Sequence, residues 1–144
     1  MTEHEQDNDA EVRTVEIPSD LAAAKKPEAD ILRLLRRCGY CNETTFAIKL
    51  TLEEAMTNAV KHGNRSDPNK RVIIRYCITP EKAYICVRDE GEGFDPEQVP
   101  DPTTPERLPL PNGRGIMLMR AYMDELHYRD QGREVVFVKR RVKE

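Results

Sequence analysis

The stretch Glu53-Glu54-Ala-Met-Thr-Asn58-Ala-Val-Lys-His62-Gly63 carries the strongest structural pattern in this chain. It ends a segment whose apolar residues recur at three- and four-residue spacing, which predicts an amphipathic helix. Those residues are Ile48, Leu52, Ala55, Met56 and Ala59. Glu54 and Asn58 lie one helical turn apart, beside the apolar stripe. A carboxylate that can take a proton and an amide oxygen that can hold a hard cation therefore stand at the edge of a core. The alternative is a solvated helix face with Gly63 as its C-cap.

The size and composition of the chain indicate one folded domain. Its 144 residues are enough to bury a core, and the apolar residues, 38% of the total, fall in periodic blocks. Residues 1–10 are acidic and almost without apolar side chains, so we expect a disordered tail there. Residues 11–144 should form the single domain.

The net charge and the absence of long apolar runs restrict the classes of partner. A net charge of −3 gives no reason to expect a nucleic-acid or anionic-membrane partner. No apolar run reaches the length of a membrane span, and the acidic start differs from the basic and then apolar start of a signal peptide. We therefore predict a cytoplasmic protein without direct nucleic-acid or membrane contacts.

The chain contains four cysteines, at positions 38, 41, 77 and 86. Four thiolates can close a tetrahedral zinc site, so zinc is one interpretation. However, Cys77 and Cys86 fall inside two predicted strands and lack the short spacing of a zinc ribbon. Reduced structural cysteines, which are typical of a cytosolic protein, are the preferred interpretation.

The first half of the chain reads as one strand and two helices. Alternation predicts a strand over residues 12–17, stopped by Pro18, and Ser19 or Asp20 should cap a helix that runs toward residue 37. Pro27 should kink or split that helix. Asn42 is the predicted cap of the next helix, from residue 43 to about residue 62.

A β-hairpin is predicted over residues 71–79 and 83–89. Alternation assigns one row of side chains to the inner face and the remainder to the other face. The inner row is Val72, Ile74, Tyr76, Ile78, Ile85, Val87 and Asp89, and the other face carries Arg75, Cys77, Cys86 and Arg88. Asp89 is therefore a carboxylate at the end of an inward-facing row, and it needs a partner, which a bound ligand could supply.

Two glycine pairs follow the hairpin. Gly91 and Gly93 at alternate positions allow the backbone to turn sharply and approach a ligand closely, although an ordinary turn would look the same. Residues 96–111 hold six prolines and few apolar residues, which favours a lid between the two glycine pairs. Gly113 and Gly115 then open a predicted helix over residues 116–126, and their free N–H groups are suited to phosphates, with Arg114 adding charge. A second hairpin, over residues 127–129 and 134–142, ends the chain.

Taken in order, these three motifs resemble the N, G1 and G2 boxes of the GHKL ATPases, the superfamily of gyrase, chaperone, histidine-kinase and mismatch-repair ATP-binding domains. The quoted motifs are Glu54-x-x-x-Asn58-Ala-x-x-His62-Gly63, Asp89-x-Gly91-x-Gly93 and Gly113-x-Gly115. Within the superfamily, the chain is most similar to the bacterial anti-sigma factor serine/threonine kinases. The resemblance implies a Bergerat α/β two-layer sandwich, with helices on one face of a mixed, mostly antiparallel sheet.

The same resemblance implies a role for each motif residue. Asp89 would accept a hydrogen bond from the adenine amino group, while Gly91 and Gly93 let the backbone pass close to the base. Asn58 would coordinate Mg²⁺ on the phosphates of ATP, and Glu54 would be the general base for a serine or threonine hydroxyl. The remaining members of the implied nucleotide site are His62, Gly113, Arg114 and Gly115.

The family resemblance also implies two protein partners: a sigma factor that is sequestered, and an anti-anti-sigma factor that is phosphorylated. A homodimer is a further expectation of the family. The alternative function is a partner-binding module in which ATP only sets the conformation of the lid. The presence of Glu54 favours the kinase, because binding a nucleotide does not require a carboxylate at that position.

Overall fold

The computed structural model describes residues 12–93 and 119–142 and contains a five-stranded sheet. Its strands are β1 (Arg13–Pro18), β2 (Arg71–Ile78), β3 (Lys82–Arg88), β4 (Glu125–Arg129) and β5 (Glu134–Arg140). Their order across the sheet is β1-β2-β3-β5-β4, and the four pairings among these described strands are all antiparallel. The prediction of a mostly antiparallel sheet is confirmed.

The first helical region is split, as the proline predicted. Asp20 caps a short 3-10 helix, Leu21–Ala24, by accepting a hydrogen bond from the Ala22 N–H at 2.9 Å. Helix α1 (Lys25–Arg37) follows directly, and Pro27 lies in its first turn, where a missing N–H costs no helical hydrogen bond. The change from 3-10 to α geometry therefore occurs just before the proline.

Helix α2 (Asn42–Thr57) differs at both ends from its predicted bounds. Cys41, rather than Asn42, is the N-cap, and its Sγ accepts from the Thr44 N–H at 3.5 Å. The α-helix stops at Thr57 because the chain continues as a π-helical turn, Asn58–Gly63, in which the Asn64 N–H reaches the Ala59 carbonyl at 2.8 Å. This wider turn is a geometry that often occurs at functional sites.

The two helices pack on one face of the sheet and enclose the core. Buried side chains of the helices, among them Ile31, Leu35, Ile48 and Leu52, join the inner-face residues Val72, Ile74, Tyr76, Ile85, Val87, Val135 and Phe137 in one apolar cluster. The predicted inner row is buried except for Ile78, which is partly exposed near the end of β2. The two-layer α/β prediction is therefore confirmed.

Part of the opposite sheet face is buried as well, at Cys86, Glu134, Val136 and Val138. Cys86 is 3% exposed although it points away from the helices. It lies beside Glu134, whose carboxylate also attracts Arg75 at 3.9 Å and Arg129 at 3.8 Å. These long side chains cover the middle of that face.

The last predicted helix ends earlier than its apolar pattern indicated. Residues 119–122 are helical, but Glu125 and Leu126 already belong to β4, so the prediction that the helix reaches residue 126 is wrong. Strand pairing overrides helical periodicity here, since Leu126 lies opposite Phe137 in the core layer. The predicted tail, the lid and the Gly113-Arg114-Gly115 motif lie outside the described residues.

Candidate active site

The centre of the site is the contact between Asp89 and the end of the π-helical turn. Asp89 follows β3 and is 8% exposed. Its Oδ1 accepts a hydrogen bond from the Gly91 N–H at 2.8 Å, while its Oδ2 lies 2.3 Å from the point where a Cβ on Gly63 would stand. Gly63 is thus required by the neighbouring carboxylate. It is not a left-handed helix cap, since its φ is not among the positive values of the described residues.

The surroundings of Asp89 act on its charge in opposite directions. Burial raises the pKa of this carboxyl, whereas the Gly91 N–H and the positive charges of Arg133, Arg88 and Lys70 oppose that rise. A carboxylate that is buried at the base of a site and supported by nearby donors is a suitable acceptor for an amino group.

Asn58 begins the π-helical turn and has an unusual side chain. Its Oδ1 is buried and has no hydrogen-bond partner among the described residues. Leaving a buried carbonyl oxygen without a partner costs free energy, so such an atom commonly marks a place where a ligand or ion completes the bonding. An amide oxygen is a ligand that suits Mg²⁺, which usually takes only one or two protein oxygens together with phosphates and water.

Glu54 lies on the preceding turn of α2 and is partly buried. Burial raises the pKa of its carboxyl, and the His62 side chain, at the far end of the π-helical turn, opposes the shift. Tyr128 on β4 and Arg120 are also electrostatic neighbours. Burial is the main cause of the raised pKa of the Tyr128 phenol; Arg120 acts against the rise, and the charge of Glu54 adds to it. A carboxyl with a raised pKa holds a proton more readily, which suits a general base.

Gly91 and Gly93 are glycines because other parts of the protein approach them. A Cβ on Gly91 would stand 2.0 Å from the Gly63 carbonyl oxygen. Gly93 has a φ of +84°, and a Cβ there would stand 2.3 Å from the carbonyl oxygen of Gln131, in the turn between β4 and β5. The close approach that these glycines permit is therefore made, in the described residues, by protein backbone.

Asn64 connects this site to the edge of the sheet. It is fully buried, and its Nδ2 donates to the Ser19 hydroxyl and to the Arg71 carbonyl, both at 2.9 Å. Its Oδ1 accepts from the Glu90 N–H at 2.7 Å. One side chain thereby holds the residue after Asp89 against the start of β2.

Comparison with known proteins identifies the family. The sequence model of one protein family, the histidine kinase-like ATPase domain, matches residues 17–139. The chain belongs to this family. Its membership agrees with the antiparallel sheet, the helical layer on one face and the order of the three motifs.

Three curated relatives of this ATPase domain are all named serine-protein kinase RsbW. The protein of Bacillus subtilis (strain 168) is 34% identical over 96 residues, which cover 62% of this chain and 60% of the relative. That of Bacillus licheniformis is 31% identical over 121 residues, or 75% of each chain. That of Listeria monocytogenes serotype 4a (strain HCC23) is 26% identical over 136 residues, or 88% of this chain and 85% of the relative. The chain thus spans less than two thirds of the Bacillus subtilis protein and more of the other two.

Within this histidine kinase-like ATPase domain, the structure brings two of the three predicted motifs together. Glu54, Asn58 and His62 lie along α2 and its π-helical turn, and Gly63 joins that turn to Asp89 and Gly91. Gly113, Arg114 and Gly115 lie outside the described residues. Sequence reasoning missed Asn64 and Arg133 as parts of the site, since their contacts are made with residues distant in the chain. Among the described residues, no helix is both long and apolar enough to cross a bilayer.

Proposed function

We propose that this protein is an ATP-dependent serine/threonine kinase that phosphorylates an anti-anti-sigma factor and sequesters a sigma factor. The observation that carries the proposal is the placement of Glu54, with its raised pKa, one turn from the buried amide oxygen of Asn58, which no described residue hydrogen-bonds. A base and a cation ligand are needed together where a hydroxyl attacks a phosphoryl group.

The residues divide the work as follows. Asp89, at the buried end of the site, accepts a hydrogen bond from the amino group of adenine. Asn58 would hold Mg²⁺, which would supply positive charge to neutralise the phosphates. Glu54 takes the proton of the partner's serine or threonine hydroxyl as that oxygen forms its bond to the γ-phosphorus and ADP leaves. Gly113, Arg114 and Gly115 contact the phosphate chain. His62 completes the nucleotide site from the end of the π-helical turn.

The names of the relatives support a protein as the phosphoryl acceptor. These relatives are named serine-protein kinases, which agrees with a protein hydroxyl as the acceptor. We further propose that the chain acts in the cytoplasm as a homodimer that binds either the sigma factor or its antagonist.

The test measures transfer of labelled γ-phosphate from ATP, with Mg²⁺, to candidate antagonist proteins of the same genome. Glu54→Gln should lower the rate about 10²- to 10⁴-fold and leave ATP binding intact. Glu53→Gln, on the adjacent exposed carboxylate, is the matched control and should retain transfer. Tight ATP binding by the wild type without transfer to any candidate would instead favour a binding module in which ATP only sets conformation.

A further inference from the structure

The turn between β4 and β5 packs against the segment of residues 89–92, which begins with Asp89 of the proposed adenine site. The Arg133 guanidinium donates to two successive carbonyl oxygens of that segment, from Nε to Gly91 at 2.7 Å and from Nη2 to Glu92 at 3.0 Å. The Arg133 carbonyl in turn accepts from the Asp89 N–H at 2.9 Å. Arg133 therefore holds the segment at both of its ends.

The guanidinium is itself fixed by its own turn. Its Nη1 donates to the Asp130 carbonyl at 3.2 Å and to Gln131 Oε1 at 3.3 Å, and the Arg133 side chain is only 26% exposed. Asp130 and Gln131 have left-handed φ values of 50° and 56°, and Arg88 forms an ion pair with Asp130. A planar group that is held in this way donates at fixed angles, which a flexible ammonium cannot reproduce.

We infer that Arg133 is a positioning residue for base recognition: it fixes the Gly91 and Glu92 carbonyls so that Asp89 meets the amino group of adenine. The inference rests on the proposed binding of ATP at Asp89. Because Arg133 lies in the β4–β5 turn, base recognition depends on a hairpin that follows the Gly113-Arg114-Gly115 motif in the chain.

The experiment compares the binding of ATP and of inosine triphosphate, which lacks the amino group, to the wild-type protein and to Arg133→Lys. The lysine keeps the positive charge but cannot bridge both carbonyls. We expect the affinity for ATP to fall about tenfold and that for inosine triphosphate much less, so that the preference for ATP shrinks. Arg129→Lys, which changes an exposed arginine of β4 that faces Glu134 at 3.8 Å, should keep the wild-type preference.

Several results would decide against the inference. An unchanged preference in Arg133→Lys, or an equal loss of affinity for both nucleotides, overturns this inference and leaves the proposed function in place. An equal loss means that Arg133 only supports the fold. Failure of the wild type to bind ATP overturns the proposed function as well. If circular dichroism shows that Arg133→Lys is unfolded, Arg133→Gln replaces it and the same ratio decides.

Discussion

Gly63 and Asp89 are in direct contact, although they lie 26 positions apart: the Asp89 carboxylate fills the space in which a side chain at position 63 would begin. Gly63→Ala should therefore push the carboxylate out of place. We expect ATP affinity to fall about tenfold or more, equivalent to ~1.4 kcal/mol, measured by titration calorimetry. Gly39→Ala is the control: Gly39 has a left-handed φ of +85°, which strains any other residue, so the variant should lose stability while ATP affinity is retained. Wild-type affinity in Gly63→Ala would show that Asp89 does not contact the nucleotide.

The raised pKa of Glu54 predicts the pH dependence of phosphoryl transfer. The base acts in its ionised form, so the rate should rise with pH through the pKa of Glu54, which burial places above the ordinary carboxyl value of 4.5. Single-turnover transfer rates at saturating ATP, measured from pH 4.5 upward, test this, with ATP binding followed over the same range. A rate that does not fall at low pH in the wild type would exclude Glu54 as the base.

The contact between Glu28 on α1 and Glu53 on α2 predicts that stability depends on pH. Burial first, then a hydrogen bond and repulsion from Glu53, raise the pKa of Glu28 to about 6, against the pull of Lys49 and Lys25. The folded protein thus binds this proton more tightly than the unfolded chain does, and the free energy of unfolding should decrease as pH rises from about 4.5 to 6.

Glu28→Gln removes this titration. The melting temperature of the variant minus that of the wild type should therefore be larger at pH 7 than at pH 5. Glu81→Gln, in the exposed β2–β3 turn, should leave the difference between the two pH values as in the wild type. If both variants behave alike in thermal unfolding, the carboxyl pair does not cause the effect.

Asn64 should be among the most sensitive polar residues of the chain. Asn64→Ala breaks its three hydrogen bonds and leaves the Glu90 N–H without its partner, so we expect a loss of ~2–4 kcal/mol in the free energy of unfolding. Urea unfolding measures this. The exposed Asn69 of the same loop is the control, and Asn69→Ala should stay within ~0.5 kcal/mol. Similar losses in the two variants would contradict the role given to the Asn64 side chain.

The cysteines should differ in reactivity. The Thr44 hydroxyl and the Thr44 N–H lower the pKa of the Cys41 thiol, whereas burial and Glu134 raise the pKa of Cys86 to about 12. Iodoacetamide at pH 7.5 should therefore alkylate Cys41 first and Cys86 last, as mass spectrometry can follow. Thr44→Val should slow the reaction at Cys41. Equal rates at the two thiols in the native protein would refute this assignment.

Local patterns in the sequence predicted the elements of the fold well. Helical periodicity located α2, and alternation placed Val72, Ile74, Ile85 and Val87 on the inner face, where they are buried. The same patterns failed where distant parts of the chain decide the structure. Periodicity does not distinguish an α-helix from the π-helical turn after Thr57, and Leu126 is drawn into β4 by its pairing with Phe137.

In the candidate site, too, local patterns were predicted correctly and long-range contacts were missed. The spacing of Glu54 and Asn58 within one helix made them recognisable as a pair. The reason for Gly63 is a carboxylate 26 positions further along, and Arg133 reaches Gly91 across 42 positions, so neither contact leaves a local signal. The sequence analysis also predicted the wrong N-cap for α2, Asn42 instead of Cys41, because helix-capping preferences favour asparagine.

The strand order has a consequence for the way the chain reaches its folded state. Strand β3 lies between β2, its neighbour in the chain, and β5, which begins 46 residues after β3 ends at Arg88. During synthesis from the amino end, β1, β2 and β3 can therefore pair while β3 remains an open edge, with hydrogen-bonding groups that could pair with another chain. The strand that is central in the finished sheet is thus the part of the nascent chain most exposed to aggregation until residues 134–140 emerge.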